Sequence, residues 1–146
     1  MLNILVALDG SAHAMSALEL ASDIAAKYGA TLHLINAIES TELPDALRRY
    51  AESEHIEGSA QRIYQSIAER ILEAASVRAK EMGVKKVKPV VRNGDPARQI
   101  VGYAEEAKID MIVMGSKGLS DFRGLLLGSV SHKVSHLSPC TCVTVR

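Results

Sequence analysis

Short apolar runs alternate with stretches of helical periodicity along almost the whole chain. Leu2–Leu8 (LNILVAL), Thr31–Ile38 (TLHLINAI), Val87–Val91, Asp110–Met114 (DMIVM) and Cys142–Val145 are brief and nearly continuous in apolar character. That is how strands buried on both faces read. Between the first two, Ala14, Ala17, Leu18, Ala21, Ile24, Ala25 and Tyr28 recur at helical spacing, and Gly29 supplies a stop. A long helix is predicted from Ser59 to Gly83, with Ile63, Ile67, Ile71 and Ala74 on one stripe. Asn93-Gly94-Asp95-Pro96 opens another: Asp95 can cap its free amides, Pro96 suits the first helical position, and Ile100, Val101 and Ala104 form the buried face. The last helix runs from about Ser129 to Leu137. Strands alternating with amphipathic helices predict βαβ units, an α/β fold with a parallel sheet, and a single domain over residues 1–146.

Residues 39–58 break the pattern. They mix Glu, Ser, Arg and His with Pro44 and Gly58, and only Ala46-Leu47 and Tyr50-Ala51 suggest a helical turn. A connection of that length points to a lid, a binding loop or part of a helix.

Charge and ring content narrow the function. Seventeen basic and 17 acidic side chains give a formal net charge of zero, and the chain has one Phe, four Tyr and no Trp. A duplex binder needs a basic excess and a single-strand binder needs stacking platforms, so nucleic acid is excluded as a first partner. With 47% apolar residues the chain can form a core without disulfides or a structural metal. Leu2–Leu8 is too short to span a membrane, and no Lys or Arg precedes it as in a signal peptide. Cys140 and Cys142, one residue apart, make no disulfide framework. The expected setting is the cytoplasm, with no membrane partner.

The loop after the fourth strand carries the chemistry. Gly115 closes that strand, Gly118 follows, and Gly128 opens the last helix with Ser129, Val130 and Ser131 behind it. Glycine lets a ligand approach the backbone. Free amides at a helix start, aided by the dipole, hold anions without a cationic side chain, and Ser129 and Ser131 add hydroxyls. Gly124 lies within the loop and could help it fold over a ligand. The spacing excludes a Walker A loop, because Lys117 falls between Gly115 and Gly118. Asp9-Gly10-Ser11 after the first strand is not the dinucleotide fingerprint, and no G-x-S-x-G elbow surrounds Ser129.

Read together, these residues make the chain resemble the universal stress protein family over Leu2 to Val145. The resemblance is carried by Ala7-Leu8-Asp9-Gly10-Ser11, by Asn93-Gly94-Asp95-Pro96, by Asp110-Met111-Ile112-Val113-Met114-Gly115-Ser116, and above all by Gly115-x2-Gly118-x9-Gly128-Ser129. The last is similar to the G-x2-G-x9-G-[ST] signature of the family's ATP-binding branch. The resemblance implies an open five-stranded parallel sheet of order 3-2-1-4-5 with helices on both faces, like that of the adenine nucleotide alpha hydrolases. It also implies a ligand crevice between the first and fourth strands, where the strand order reverses. Carried over by position, Ala7 and Asp9 would flank the adenosine, and Ala37 would offer backbone and surface to adenine. Met114 and Gly115 would back the ribose. Gly118 would let the loop cover the phosphates, while Gly128, Ser129, Val130 and Ser131 bind phosphate oxygens. The implied ligand is ATP, with AMP and cyclic AMP as open alternatives, and Mg²⁺ bridging the phosphates. The implied role is a nucleotide-dependent regulatory or stress-response switch with an unnamed protein partner. It would assemble as a homodimer through residues 141–146, or as a higher oligomer. Two departures stand out: Ala7 and Thr141 occupy positions where many relatives have Pro. The alternatives are a nucleotide-independent dimeric interaction module and a slow ATPase. No general base is evident in the loop, so no catalytic residue is assigned.

Other combinations have plainer explanations. His132 and His136 share a helix face and precede Cys140 and Cys142, but the spacing is not that of a zinc finger. Free cysteines on an interior strand act as small hydrophobes, so no side-chain metal ligand is assigned. Lys80, Lys85, Lys86 and Lys88 read as a solvated helix end. Asp9 could cap the first helix as well as face a ligand. Ser129 and His132, three apart on one helix, are poorly placed for a triad with Asp9.

Overall fold

The computed structural model describes residues 2–39, 45–56, 60–118 and 127–146. In chain order its elements are β1 (Asn3–Ala7), α1 (Ala12–Tyr28), β2 (Thr31–Ile38), α2 (Asp45–Ser53), α3 (Ala60–Glu81), β3 (Lys86–Asn93), α4 (Pro96–Glu106), β4 (Met111–Gly115), α5 (Ser129–Leu137) and β5 (Thr141–Val145). The strands form one parallel sheet in the order β3-β2-β1-β4-β5. This is the α/β architecture expected from the alternating pattern.

Both faces of the sheet are covered, which is why its strands need apolar residues at successive positions. Ile4, Val6, Leu32, Leu34 and Val113 point to one face and pack with Ala14, Ala17, Leu18 and Ala21 of α1 and Leu72, Ala75 and Ala79 of α3. Leu5, Ile35, Ile112 and Met114 point to the other, against Ala97, Ile100 and Ala104 of α4 and Val134 of α5. Small residues dominate the buried stripe of α1, so its backbone can lie close to the sheet.

Two helical stripes differ from expectation. In α3 the buried positions are Ile63, Ala68, Leu72, Ala75, Ser76 and Ala79, whereas Ile67 and Ile71 are half-buried and Ala74 is exposed. The stripe is turned toward its alanines, which permit closer approach than the isoleucines at its margin. In α1 Tyr28 is exposed, and Ser22 occupies the buried position instead. Part of the ambiguous 39–58 stretch is helical, as α2 with Ala51 buried. Residues 40–44 and 57–59, with the expected helix start at Ser59, lie outside the described residues, as does Gly124.

Cap chemistry follows the sequence at α4, where the Asp95 side chain accepts the Arg98 N–H and Pro96 begins the helix. At α1 the cap is Ser11, whose Oγ accepts the Ala14 N–H. Asp9 is not that cap: its Oδ1 accepts the Ser11 N–H at 2.8 Å and so shapes the turn leading into the helix.

The two sheet edges differ. Edge strand β3 carries Lys86, Lys88, Pro89 and Arg92, the charges and proline that discourage further strand pairing. Edge strand β5 is Thr-Cys-Val-Thr-Val, with neither.

One buried polar cluster sits toward the start of the strands. His33 of β2 is 4% exposed. Its Nδ1 lies 2.7 Å from the Tyr103 hydroxyl and its Nε2 lies 3.2 Å from Asn3 Oδ1. Because Asn3 Oδ1 can only accept, Nε2 carries the proton and Nδ1 accepts from Tyr103. The neutral ring is thus fully satisfied. Burial, with Lys88 adding to it, holds the His33 pKa below its ordinary value.

Candidate functional site

A cleft forms where two neighbouring strands part. The β1–β4 ladder pairs Ile4 with Met111, Leu5 with Ile112 and Val6 with Val113, and stops there. Beyond that point Ala7 pairs with Ile35 of β2, and Met114 and Gly115 pair with Thr144 and Val145 of β5. The strands diverge at the point of order reversal, leaving a cavity of about 260 Å³.

Ala7, Met114 and Gly115 form its floor, with Ala37 beyond the end of β1. Gly118, Ser129, Val130 and Ser131 lie along the side given by the loop and α5, and Asp9 stands at the start of α1. The fold therefore brings nine of the ten sequence-selected positions into one cleft. Gly128 is the exception. It is buried and does not line the cavity, and its N–H donates to the Ser116 carbonyl. That amide is bonded within the protein in this structure. Its φ of −73° is one that any residue adopts.

Ser131 also differs from expectation. Its hydroxyl lies 2.9 Å from the Ser116 carbonyl and 3.1 Å from the Gly128 carbonyl, and the residue is buried. The hydroxyl is directed at the backbone. Ser129, by contrast, is exposed at the mouth of the cleft.

Gly115 has a structural reason to be glycine. A Cβ there would lie 2.6 Å from His13 Cβ, 2.8 Å from the His13 carbonyl carbon and 2.9 Å from the Ala14 nitrogen. The end of β4 runs directly against the first turn of α1, and no side chain fits between them.

Several contributors were not singled out from the sequence. Ser116 is 2% exposed. Its N–H donates to Val145 O at 2.7 Å, its carbonyl receives the Gly128 amide and the Ser131 hydroxyl, and its Oγ lies 3.1 Å from His13 Nδ1. One residue thereby joins β5, α5 and α1 beside the cleft. Lys117, excluded above as a Walker lysine, lines the cavity and is the cation among its described lining residues; Glu39 adds a carboxylate opposite in charge. Ile35, Pro96 and Ile100 complete an apolar wall.

The three helices whose starts meet here are not equivalent. Ser11 and Asp95 cap α1 and α4 with their side chains, whereas α5 begins at Gly128 with no side-chain cap. A helix start without such a cap leaves its positive end directed at whatever occupies the adjoining space.

The remaining combinations lie away from the cleft. His132 does not line the cleft; its ring packs against that of His136. Cys140 and Cys142 are free, half-buried and packed on the α4–α5 side of β5, which is an edge strand and not an interior one. Burial pushes the Cys142 thiol above its ordinary pKa, as suits an unreactive thiol. Lys80, Lys85, Lys86 and Lys88 are all exposed. Among the described residues no three His, Cys, Asp or Glu converge on a metal position. Nor is any described helix long and apolar enough to cross a membrane.

Comparison with known proteins points one way. The model of the "Universal stress protein family" matches residues 1–146. The universal stress protein YxiE of Bacillus subtilis is 35% identical over 146 residues, covering 97% of each chain. The structure of the hypothetical protein MJ0577 superposes with a TM-score of 0.80 at 26% identity, over 99% of this chain and 94% of that one. A universal stress protein solved in complex with cAMP gives a TM-score of 0.72 at 28% identity, over 99% and 97%.

Proposed function

Because the chain belongs to the universal stress protein family, we propose that its cleft binds an adenine nucleotide, ATP foremost, and that occupancy switches a cytoplasmic stress-response or regulatory partner. The observation that carries this reading is the α5 start, opening on the cleft beside Gly118 and Lys117 with no side-chain cap. An anion placed there meets helix amides and one ammonium group. The apolar wall of Ile35, Ile100 and Met114 suits a purine face, and Ala7 and Ala37 leave room for it. A similar protein of this fold has been solved with cAMP, which supports an adenine ligand. Mg²⁺ would be held chiefly by phosphate oxygens, near the Asp9 and Glu39 carboxylates that line the cavity. The sequence signature G-x2-G-x9-G-[ST] favours ATP over AMP or cyclic AMP. Slow hydrolysis of bound ATP is a subordinate reading, since no catalytic base is assigned.

Calorimetry with ATP and Mg²⁺, AMP and cAMP tests this, using wild type and Ser129→Asp. An acidic residue in the first turn is favourable to a helix, so the variant should keep its thermal midpoint. Its carboxylate would occupy the anion position, and ATP affinity should fall about tenfold or more, equivalent to about 1.4 kcal/mol. No ATP binding below millimolar concentration, or unchanged affinity in the variant, would sink the proposal.

A second reading, a nucleotide-independent dimeric module, rests on β5. That edge lacks the charges and proline that protect β3, so a second copy pairing through residues 141–146 would satisfy its exposed backbone. Sedimentation of nucleotide-free protein should give a dimer. A nucleotide-free monomer at all concentrations, or a dimer that forms only with ATP, would count against it.

A further inference from the structure

The exposed face of α5 carries a side-chain pair that the cleft does not use. His132 and His136 are four residues apart, so they stand one above the other on the helix surface. Both are exposed, and their ring centres lie 4.6 Å apart with the planes at 81°. Two imidazoles bound to one metal at about 2.0–2.1 Å would have ring centres roughly 4.5–5.2 Å apart for N–metal–N angles of about 90–110°. The ring centres stand at that separation, and rotation about the side-chain bonds of these exposed residues can bring one nitrogen of each to a shared ion. Lys133 is adjacent in sequence and points away around the helix, since neighbours one apart do not face each other.

We propose that His132 and His136 form a two-imidazole chelate on the outer face of α5 for a divalent transition metal, Cu²⁺ in preference to Ni²⁺ and Zn²⁺. Imidazole nitrogen suits these three ions, and their affinities for a nitrogen site follow that general order. No third His, Cys, Asp or Glu of the described residues joins the pair. The remaining coordination positions are left to water or to a donor other than these residues. Hard Mg²⁺, which needs oxygen ligands, has no place here. The ion would fasten the last turns of the helix whose first turn borders the cleft. Because the helix holds both imidazoles at one separation, the ion binds the folded chain more tightly than the unfolded one and raises thermal stability by mass action.

The test is calorimetric titration of the nucleotide-free full chain with Cu²⁺, Ni²⁺, Zn²⁺ and Mg²⁺, paired with thermal unfolding. One equivalent of Cu²⁺ should bind, more tightly than Ni²⁺ or Zn²⁺, while Mg²⁺ does not compete. His132→Ala and His136→Ala should each weaken Cu²⁺ binding about tenfold or more and abolish the metal-induced rise in the unfolding midpoint. Both positions are exposed, so the metal-free midpoints should match wild type. A Cys140→Ser, Cys142→Ser double variant should bind as wild type does. Cu²⁺ binding that survives both histidine substitutions, that disappears with the cysteines, or that is absent below millimolar metal would overturn the assignment.

Discussion

Gly115→Ala should destabilise the protein by about 1–3 kcal/mol, the usual cost of forcing extra volume into a closed contact. It should also weaken nucleotide binding. The added methyl would meet His13 Cβ, the His13 carbonyl carbon and the Ala14 nitrogen inside van der Waals contact. Two of these three atoms are backbone, so a rotamer change cannot relieve the clash. Either the end of β4 or the first turn of α1 has to shift. Ser11 and Ala14 of that turn line the cleft along with Gly115 itself, so the displacement deforms the cavity. Urea denaturation gives the stability change and calorimetry the affinity. By contrast Gly29→Ala, where no atom lies within 4 Å of the added methyl, would be opposed only by its left-handed φ of 65°. It should leave ligand affinity as it is. Wild-type stability for Gly115→Ala would mean that the β4–α1 contact is looser than described.

Acid should weaken the fold through His33. In the unfolded chain a histidine titrates near pH 6.5, and burial with Lys88 lowers the folded value. Between the two values the unfolded state binds more protons, so stability rises with pH across that window. The contribution of neutral His33 is complete above the unfolded value and is lost progressively as pH falls toward the folded one. The hydrogen bonding explains the loss. A proton on Nδ1 would turn the acceptor of the Tyr103 hydroxyl into a second donor and place a charge near Lys88. Urea midpoints measured from pH 7.5 to pH 5 should fall with acid in wild type. In His33→Leu the baseline is lower, because Asn3 and Tyr103 lose a partner, and the His33 part of the slope should vanish. An identical slope in both proteins would assign the acid response to other groups. At the alkaline end Tyr103, raised by burial with Glu106 adding and Arg92 opposing, gives stability that is lost as pH climbs past its ordinary range.

Residue pattern made the sheet legible because its inner strands β1, β2 and β4 are largely apolar on both sides. Ile4, Leu5 and Val6 read as a continuous run for that reason alone. The glycine spacing likewise located the loop between β4 and α5. What the pattern could not carry were the roles that depend on a distant partner. Gly115 is explained by His13, far away in the sequence, and nothing local to either residue announces their contact. Ser116 is one serine among many until the fold brings Val145, Gly128 and His13 to it. The α3 stripe was misplaced because large isoleucines dominate a hydrophobicity reading, whereas helix-to-sheet distance favours Ala68, Ala75 and Ala79. Asp9 and Ser11 are both good caps by type, and only geometry separates the residue that caps from the one that shapes the turn.

The parting of β1 and β4 after Val6 and Val113 bears on how such a site can evolve. A pocket opened by two diverging strands, and electrically biased by the start of a helix, owes its main attraction to main chain. Main chain persists whatever the side chains become. Ala7, Ala37 and Ile100 can therefore change size while the backbone start of α5 stays in place. Drift at the lining would reshape the cavity while that backbone feature persists, so one scaffold can carry many differently shaped pockets.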